Sequence, residues 1–249
     1  MGIVILLKKI GETPNDMINN YIKNYNKNNK YQIKKGCTVG KLDPMASGLS
    51  ICLFDNQCKN MKDYLDKEKI YEFKIIFGIK SDSDDTLGLI TNAEEIENIN
   101  TQIIQKEILN FIGEYNQKYH KYSSICVYNK NNQRNPLWKW TKDNRLNEIK
   151  IPEKNVNVKS LEFLELKKYN FNILKKIIIE NIKKVKGDFR QAEIIERWNN
   201  ISHIKNINIG KFRIHCSSGF YVRQLVNDLC NKLNIYGTTY NINRIKIIL

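Results

Sequence analysis

No stretch of this sequence is apolar for long enough to cross a membrane. The longest apolar run near its start, GIVILL at residues 2–7, is far short of the ~20 residues that a spanning helix needs. It reads as a buried strand beginning at the second residue, which leaves no room for a signal or transit peptide. Leu6 stands where a myristoylation signal requires Ser or Thr, so Gly2 is not expected to be lipidated. Cysteine is used without pattern: Cys37, Cys52, Cys58, Cys126, Cys216 and Cys230 form no CxxC and no zinc-type spacing with histidine. That argues against a disulfide framework and for a reducing compartment, here the cytoplasm. Internal repeats and low-complexity linkers are missing too.

Positive charge is what the chain has in excess. Its 41 Lys and Arg against 26 Asp and Glu leave +15 over 249 residues. Such a field concentrates polyanions and releases their counterions on binding. Nucleic acid is the favoured partner; an acidic membrane is not, because no basic amphipathic anchor stands out. A compositional bias toward Lys, Asn and Ile, or a solubility role, gives the same excess. The length and the 41% hydrophobic fraction suit one large globular domain or two small ones.

Periodicity organises the chain. After the opening strand, Thr13 reads as a helix N-cap, with Pro14 at the first helical position and Asp16 in the first turn. Met17, Ile18, Tyr21, Ile22 and Tyr25 then recur at helical spacing. GLSICLF, residues 48–54, is a short strand, and KIYEFKIIFGI, residues 69–79, alternates with Tyr71, Phe73, Ile75 and Phe77 on one face. The acidic SDSDDTLG that follows lacks the calcium-loop pattern and reads as a solvated turn. Residues 101–113 suggest an amphipathic helix, and VNVKSLEFLEL, residues 156–166, a further strand. Residues 171–200 read as two helices broken at Gly187 with Asp188 as cap, a basic subdomain or a helical insertion at about 171–205 within one domain spanning 1–249. Near the end, Phe212, Ile214 and Cys216 alternate in a strand, Ser217–Gly219 turn, and Val222, Leu225, Val226, Leu229 and Leu233 stripe a helix. Arg223 lies in that helix's first turn, where a cation opposes the macrodipole by about 0.3–1 kcal/mol. Either it points to solvent or a site requires it there.

GKLDPMASGLSICLF, residues 40–54, poses a similar choice. Pro44 pushes Asp43 into an extended conformation, and Asp-Pro is also a common way to begin a helical turn. From these residues alone, Asp43 is a turn aspartate or a carboxylate held out for chemistry.

Taken together, these segments resemble the TruB family of tRNA pseudouridine synthases. GIVILLKKIGETPND is similar to that family's opening strand and turn. VGKLDPMASGLSICLF resembles its signature G-x-L-D-P-x-A-[TS]-G-x-L, whose aspartate falls on Asp43. KIYEFKIIFGIKSDSDDTLG resembles the segment carrying an active-site tyrosine, here Tyr71. IHCSSGFYVRQLVNDL is similar to C-S-x-G-T-Y-I-R-x-x-x-x-D-L, which places a tyrosine and an arginine on Tyr221 and Arg223.

The resemblance implies an α+β pseudouridine-synthase fold, with a central mixed or antiparallel sheet flanked by helices. It implies an enzyme that converts uridine to pseudouridine, most often uridine 55 of the tRNA T loop, without metal or other cofactor. Asp43 is then the catalytic carboxylate, acting at the sugar C1′ or the base C6. Arg223 is its implied partner, suited to bidentate contact. Tyr71 is expected to stack on the target base and Tyr221 to hydrogen-bond near it. Lys8, Lys9, Lys34, Lys35 and Lys41 are candidates for phosphate contacts, and Ile242 is a further candidate substrate contact. The expected partner is RNA, with no membrane and no obligatory protein partner, and the chain is expected to be a monomer.

Several positions depart from the family pattern. Thr38 stands where the family has a histidine, Lys9 replaces a proline, and YHKYSS, residues 119–124, keeps Tyr122 and Ser123 of Pro-Ser-Met-Tyr-Ser-Ala. The chain ends at Leu249, so the family's C-terminal PUA domain is not expected. These departures leave two alternatives: the same chemistry on another RNA, or an inactive RNA-binding or RNA-folding protein.

Overall fold

Alternation becomes strand, and 3.6-residue spacing becomes helix, along most of the chain. The computed structural model describes residues 3–249. Met1 and Gly2, and with them the lipidation expectation and the first residue of the opening strand, lie outside the described residues. The first third holds β1 (Ile3–Lys8), α1 (Pro14–Asn28), β2 (Gly36–Val39), β3 (Ala46–Phe54), a 3-10 segment Asp55–Tyr64, β4 (Lys69–Phe77), β5 (Ile79–Ser81) and β6 (Ile90–Ala93). Next come α2 (Thr101–Leu109), β7 (Gly113–Lys118), β8 (Cys126–Tyr128), β9 (Arg134–Pro136) and α3 (Leu137–Lys142). The rest is β10 (Glu153–Asn170), α4 (Phe171–Lys184), α5 (Gln191–Asn200), β11 (Asn206–Cys216), α6 (Val222–Leu233) and β12 (Gly237–Ile247).

The main sheet runs β1-β3-β12-β4-β11-β10-β7, with β2 also pairing β3. Every pairing in it is antiparallel except β3 with β12, so the sheet is mixed. Gly48 sits at that parallel contact with φ +114°, and a Cβ there would lie 2.3 Å from the Arg244 carbonyl oxygen. Only glycine permits both the backbone angle and the approach.

Both faces of the sheet are covered. On one, Tyr71, Phe73, Ile75 and Phe77 of β4 pack with Phe212 and Ile214 of β11 and with Leu225, Val226 and Leu229 of α6. On the other, Ile76, Ile207 and Ile209 meet Leu174 and Ile178 of α4 and Ile194 and Trp198 of α5. Burying side chains of this size stabilises the fold by roughly 1.5–3 kcal/mol each. The α4–α5 hairpin therefore seals a core that also contains Met45 and Leu87, rather than standing off the sheet.

Helix α1 starts as its sequence dictates. Thr13 Oγ1 accepts from the Asp16 amide, while the Asp16 carboxylate accepts from the Thr13 amide and hydroxyl. Other expectations are corrected. The opening strand is an edge, with Ile3, Ile5 and Leu7 exposed, because only β3 pairs with it. Helix α2 stops at Leu109, short of 113. The cap of α5 is Arg190 in the left-handed region (φ 62°), not Asp188. The acidic 81–88 turn is not solvated: Ser83, Asp84, Asp85 and Thr86 are all buried. Among the described residues no helix is long and apolar enough to cross a membrane.

Candidate active site

Asp43 lies on the turn between β2 and β3, and that turn is clamped from beneath. The Lys8 ammonium donates to the carbonyls of Lys9, Pro44 and Ala46 at 3.0, 3.2 and 2.6 Å. The Gly11 amide adds a second bond to the Pro44 carbonyl at 2.9 Å. Burial pulls the Lys8 amine down to about 8, although Asp43, Glu12 and Asp16 oppose this. Lys8 is 1% exposed, so the phosphate contact expected of it is unavailable; it holds the Asp43 turn instead. Leu42, Met45 and Ala46 are buried around the turn, leaving the Asp43 side chain 36% exposed.

Arg223 reaches Asp43 from the first turn of α6. Its Nε donates to Asp43 Oδ2 at 2.8 Å, while Asp85 Oδ2 lies 3.7 Å from the same nitrogen. The contact is single, not the bidentate one expected; Nη1 is engaged elsewhere, with the Ser83 carbonyl at 3.0 Å and His120 Nδ1 at 3.2 Å. Arg223 is 4% exposed. Burial would lower its basicity, but Asp43 and Asp85 together raise it. Burial pushes the Asp85 carboxyl up to about 6 against the pull of Arg223, and the charge of Asp43 adds to the push. His120 is drawn down to about 4 by burial and then by the neighbouring Arg223 cation.

All of these groups except His120 border a cavity of about 480 Å³. Its floor carries Asp43, Asp85, Ser83 and Arg223. Tyr122, Trp138, Phe189 and Tyr221 supply aromatic wall, and Lys41, Lys142 and Arg190 supply cations. The α4–α5 connection forms one side. Arg190 donates to Asp82 at 2.9 Å and to the Tyr122 hydroxyl at 3.2 Å, and Lys142 pairs with Asp188 at 2.6 Å. Tyr221 sits at the N-cap of α6, its backbone held in both directions by the Gln117 amide. Burial, and secondly Asp43, push its phenol up to about 12.

The structure brings Asp43, Arg223, Tyr221 and Lys41 to this cavity. Tyr71 does not line it. That side chain is 8% exposed and packs in the cluster that contains Leu42, Ala46 and Ile242, so a base resting in the cavity does not stack on it in this arrangement. Ile242 is likewise in the core, where it and Asp43 border a small void. Lys9, Lys34 and Lys35 are not in the lining. Thr38, at the missing histidine, is buried in β2 opposite Cys52. Sequence reasoning passed over Asp85, His120, Trp138, Lys142, Phe189 and Arg190. The carboxylate density of 82–85 and the altered YHKYSS segment were the available signals. Among the described residues no group of three or more His, Cys, Asp or Glu side chains is arranged to hold a metal.

Comparison with known proteins gives a family and a fold. A family model described as TruB family pseudouridylate synthase, N-terminal domain, matches residues 28–181. The tRNA pseudouridine synthase B of Mesoplasma florum is 28% identical over 246 residues, covering 98% of this chain and 68% of the relative. That of Endomicrobium trichonymphae is 26% identical over 252 residues, covering 99% and 84%. The chain thus spans about two thirds of the first relative's length. A solved structure, a Cbf5-Nop10-Gar1 complex, superimposes with a TM-score of 0.58 at 15% identity, over 99% of this chain and 48% of that one. At that identity the likeness shows the fold, an α+β arrangement with a mixed sheet.

Proposed function

The chain belongs to the TruB family of pseudouridylate synthases, and on that premise we propose that it isomerises a uridine of tRNA to pseudouridine, uridine 55 of the T loop, with Asp43 as the catalytic carboxylate. The observation that carries this reading is the Asp43–Arg223 pair at the cavity floor, a half-exposed carboxylate held at 2.8 Å by a buried guanidinium. One oxygen, Oδ1, is left without a hydrogen-bond partner from Arg223 and is available to an entering nucleoside.

The reaction breaks the C1′–N1 bond and joins C1′ to C5 of the same base. The C5 proton is lost and N1 gains one, so atoms and electrons balance within one nucleotide and no redox or group donor is called for. Asp43 acts as nucleophile at C1′ or at C6, or stabilises positive charge while the base is detached. Arg223 keeps the carboxylate aimed, and the buried 81–88 turn supplies the low-dielectric floor that strengthens this pairing. The target base must leave its stack, at a few kcal/mol. Tyr122, Trp138, Phe189 and Tyr221 offer it aromatic faces. The +15 charge and Lys41, Lys142 and Arg190 at the rim suit an RNA backbone. Thr38, in place of the family's histidine, favours as second reading the same chemistry on a different RNA.

The test is a tRNA transcript carrying tritium at C5 of its uridines, incubated with wild type and with Asp43→Asn. Release by wild type alone, mapped to the T loop, is the expected result. Equal release by Asp43→Asn removes Asp43 from the mechanism. Release from total cellular RNA but not from tRNA favours the second reading.

A further inference from the structure

Behind Arg223 lies a buried polar circuit that the chemistry above does not use. His120 is 1% exposed and Asp84 5%. Arg223 Nη1 meets His120 Nδ1 at 3.2 Å, and the Tyr122 amide donates to the same nitrogen at 3.2 Å. Both of these groups can only donate, so Nδ1 carries a lone pair and the imidazole proton is on Nε2. Nε2–H then donates to Asp84 Oδ2 at 3.0 Å. Asp84 Oδ1 accepts from Lys80 at 2.7 Å, and the Lys80 ammonium also donates to Asn227 Oδ1 at 2.6 Å. Asn227 is one turn beyond Arg223 on α6, so the circuit leaves that helix at one residue and returns at the other.

We propose that the Asp84–His120 pair is a positioning device for Arg223, selecting which of two carboxylates its Nε serves. The inference rests on the role given above to Asp43 and Arg223. The need for selection is visible in the distances, 2.8 Å to Asp43 and 3.7 Å to Asp85 from one nitrogen. A guanidinium is planar, so fixing Nη1 against His120 and the Ser83 carbonyl also fixes the direction of Nε–H. With the imidazole lone pair removed, the guanidinium is free to turn toward Asp85, and Asp43 loses its aim. The fixed tautomer matters as much as the contact. An imidazolium, or the Nδ1–H form, would point a hydrogen at the Arg223 donor. Asp84 enforces the working form by accepting at Nε2, and Lys80 holds Asp84 in turn. Burial and hydrogen bonds compete at Asp84: burial would raise its carboxyl, but His120 and Lys80 keep it below the usual value.

The test compares His120→Ala with His120→Asn. An asparagine amide oxygen falls near the position of Nδ1 and accepts from Arg223, whereas alanine offers nothing. Single-turnover tritium release by His120→Ala is expected to slow by on the order of 10- to 100-fold, the scale of a misaimed catalytic group. RNA affinity by filter binding should be unchanged, and His120→Asn should recover most of the rate. In 15N-histidine spectra of the wild type, His120 should show the neutral Nε2–H pattern at pH 7 and keep it to about pH 5, since Asp84, Lys80, Arg223 and Asp43 face it and its basicity is drawn down to about 4. A folded His120→Ala at the wild-type rate overturns the proposal, as does His120→Asn failing as badly as alanine. An Nδ1–H or imidazolium signal at pH 7 overturns it without any activity measurement. A wild type inactive on every RNA would defeat the proposed function, while the spectrum would still decide the state of His120.

Discussion

Arg223 Nε and Asp43 Oδ2 are 2.8 Å apart across 180 residues of chain, and Asp85 waits 3.7 Å from the same nitrogen. One buried cation therefore serves two carboxylates, and removing it strands them both. Arg223→Ala is expected to destabilise the protein by about 3 kcal/mol, the scale of an uncompensated buried charge. Adding Asp85→Asn to Arg223→Ala should restore a large part of that loss, because it removes the more deeply buried of the two negative charges. Urea unfolding of the two single variants and the double variant measures this coupling. Simple additivity would mean that Asp85 and Arg223 do not interact energetically.

Acid should act on this cluster in two opposite ways. The Asp85 carboxyl is raised to about 6 in the folded protein, from 3.8, so the folded state binds its proton more tightly than the unfolded state. That contribution is present below about pH 4 and is lost as pH rises through 6, a change of about 3 kcal/mol. His120 is lowered to about 4, so its contribution is present above about pH 6.5 and is lost as pH falls through 4. Unfolding at pH 4 and pH 7 should show Asp85→Asn gaining stability relative to wild type as pH rises. His120→Asn should show the reverse slope. A pH-independent difference for either variant would contradict the assignment.

Two lysines read alike in sequence should part in function. Lys8→Met removes the donor that holds the Pro44 and Ala46 carbonyls, so turnover should fall while RNA affinity and its salt dependence stay put. Lys41→Met removes an exposed cation at the cavity rim. RNA affinity should then weaken and the salt slope drop by nearly one log unit per log unit of salt. Filter binding between 50 and 200 mM salt distinguishes the two, and a salt slope altered by Lys8→Met would place that residue on the RNA after all.

Deleting the α4–α5 hairpin would not isolate its RNA contribution, because its own Phe171, Ile178, Ile182, Ile194 and Trp198 are completely buried in the core. Substitutions in its connecting loop avoid that. Phe189→Ser together with Arg190→Ala removes one aromatic wall and the bonds to Asp82 and Tyr122, and should weaken RNA binding severalfold in a protein that stays folded. Some thermal stability should go as well, since Phe189 packs against the α4–α5 core and Arg190 pairs with Asp82. Unchanged affinity would leave the loop a purely structural seal.

The amino-acid sequence by itself determined the elements whose cause is local. The Thr13–Asp16 cap closes within one turn of chain, and the alternation of Phe212, Ile214 and Cys216 needs only a pleated strand. The anomaly of Arg223 was also legible, since a cation in a helix's first turn is unfavourable without a partner. What only the tertiary structure decided is which charges are buried. Asp84, Asp85 and Lys8 each look like solvated residues beside their sequence neighbours. Their partners lie elsewhere in the chain: Asp84 meets His120 36 residues on, and Lys8 meets Ala46 38 residues on. A charge leaves water only when a partner offsets its desolvation, and partners that distant become neighbours only after the sheet has ordered its strands.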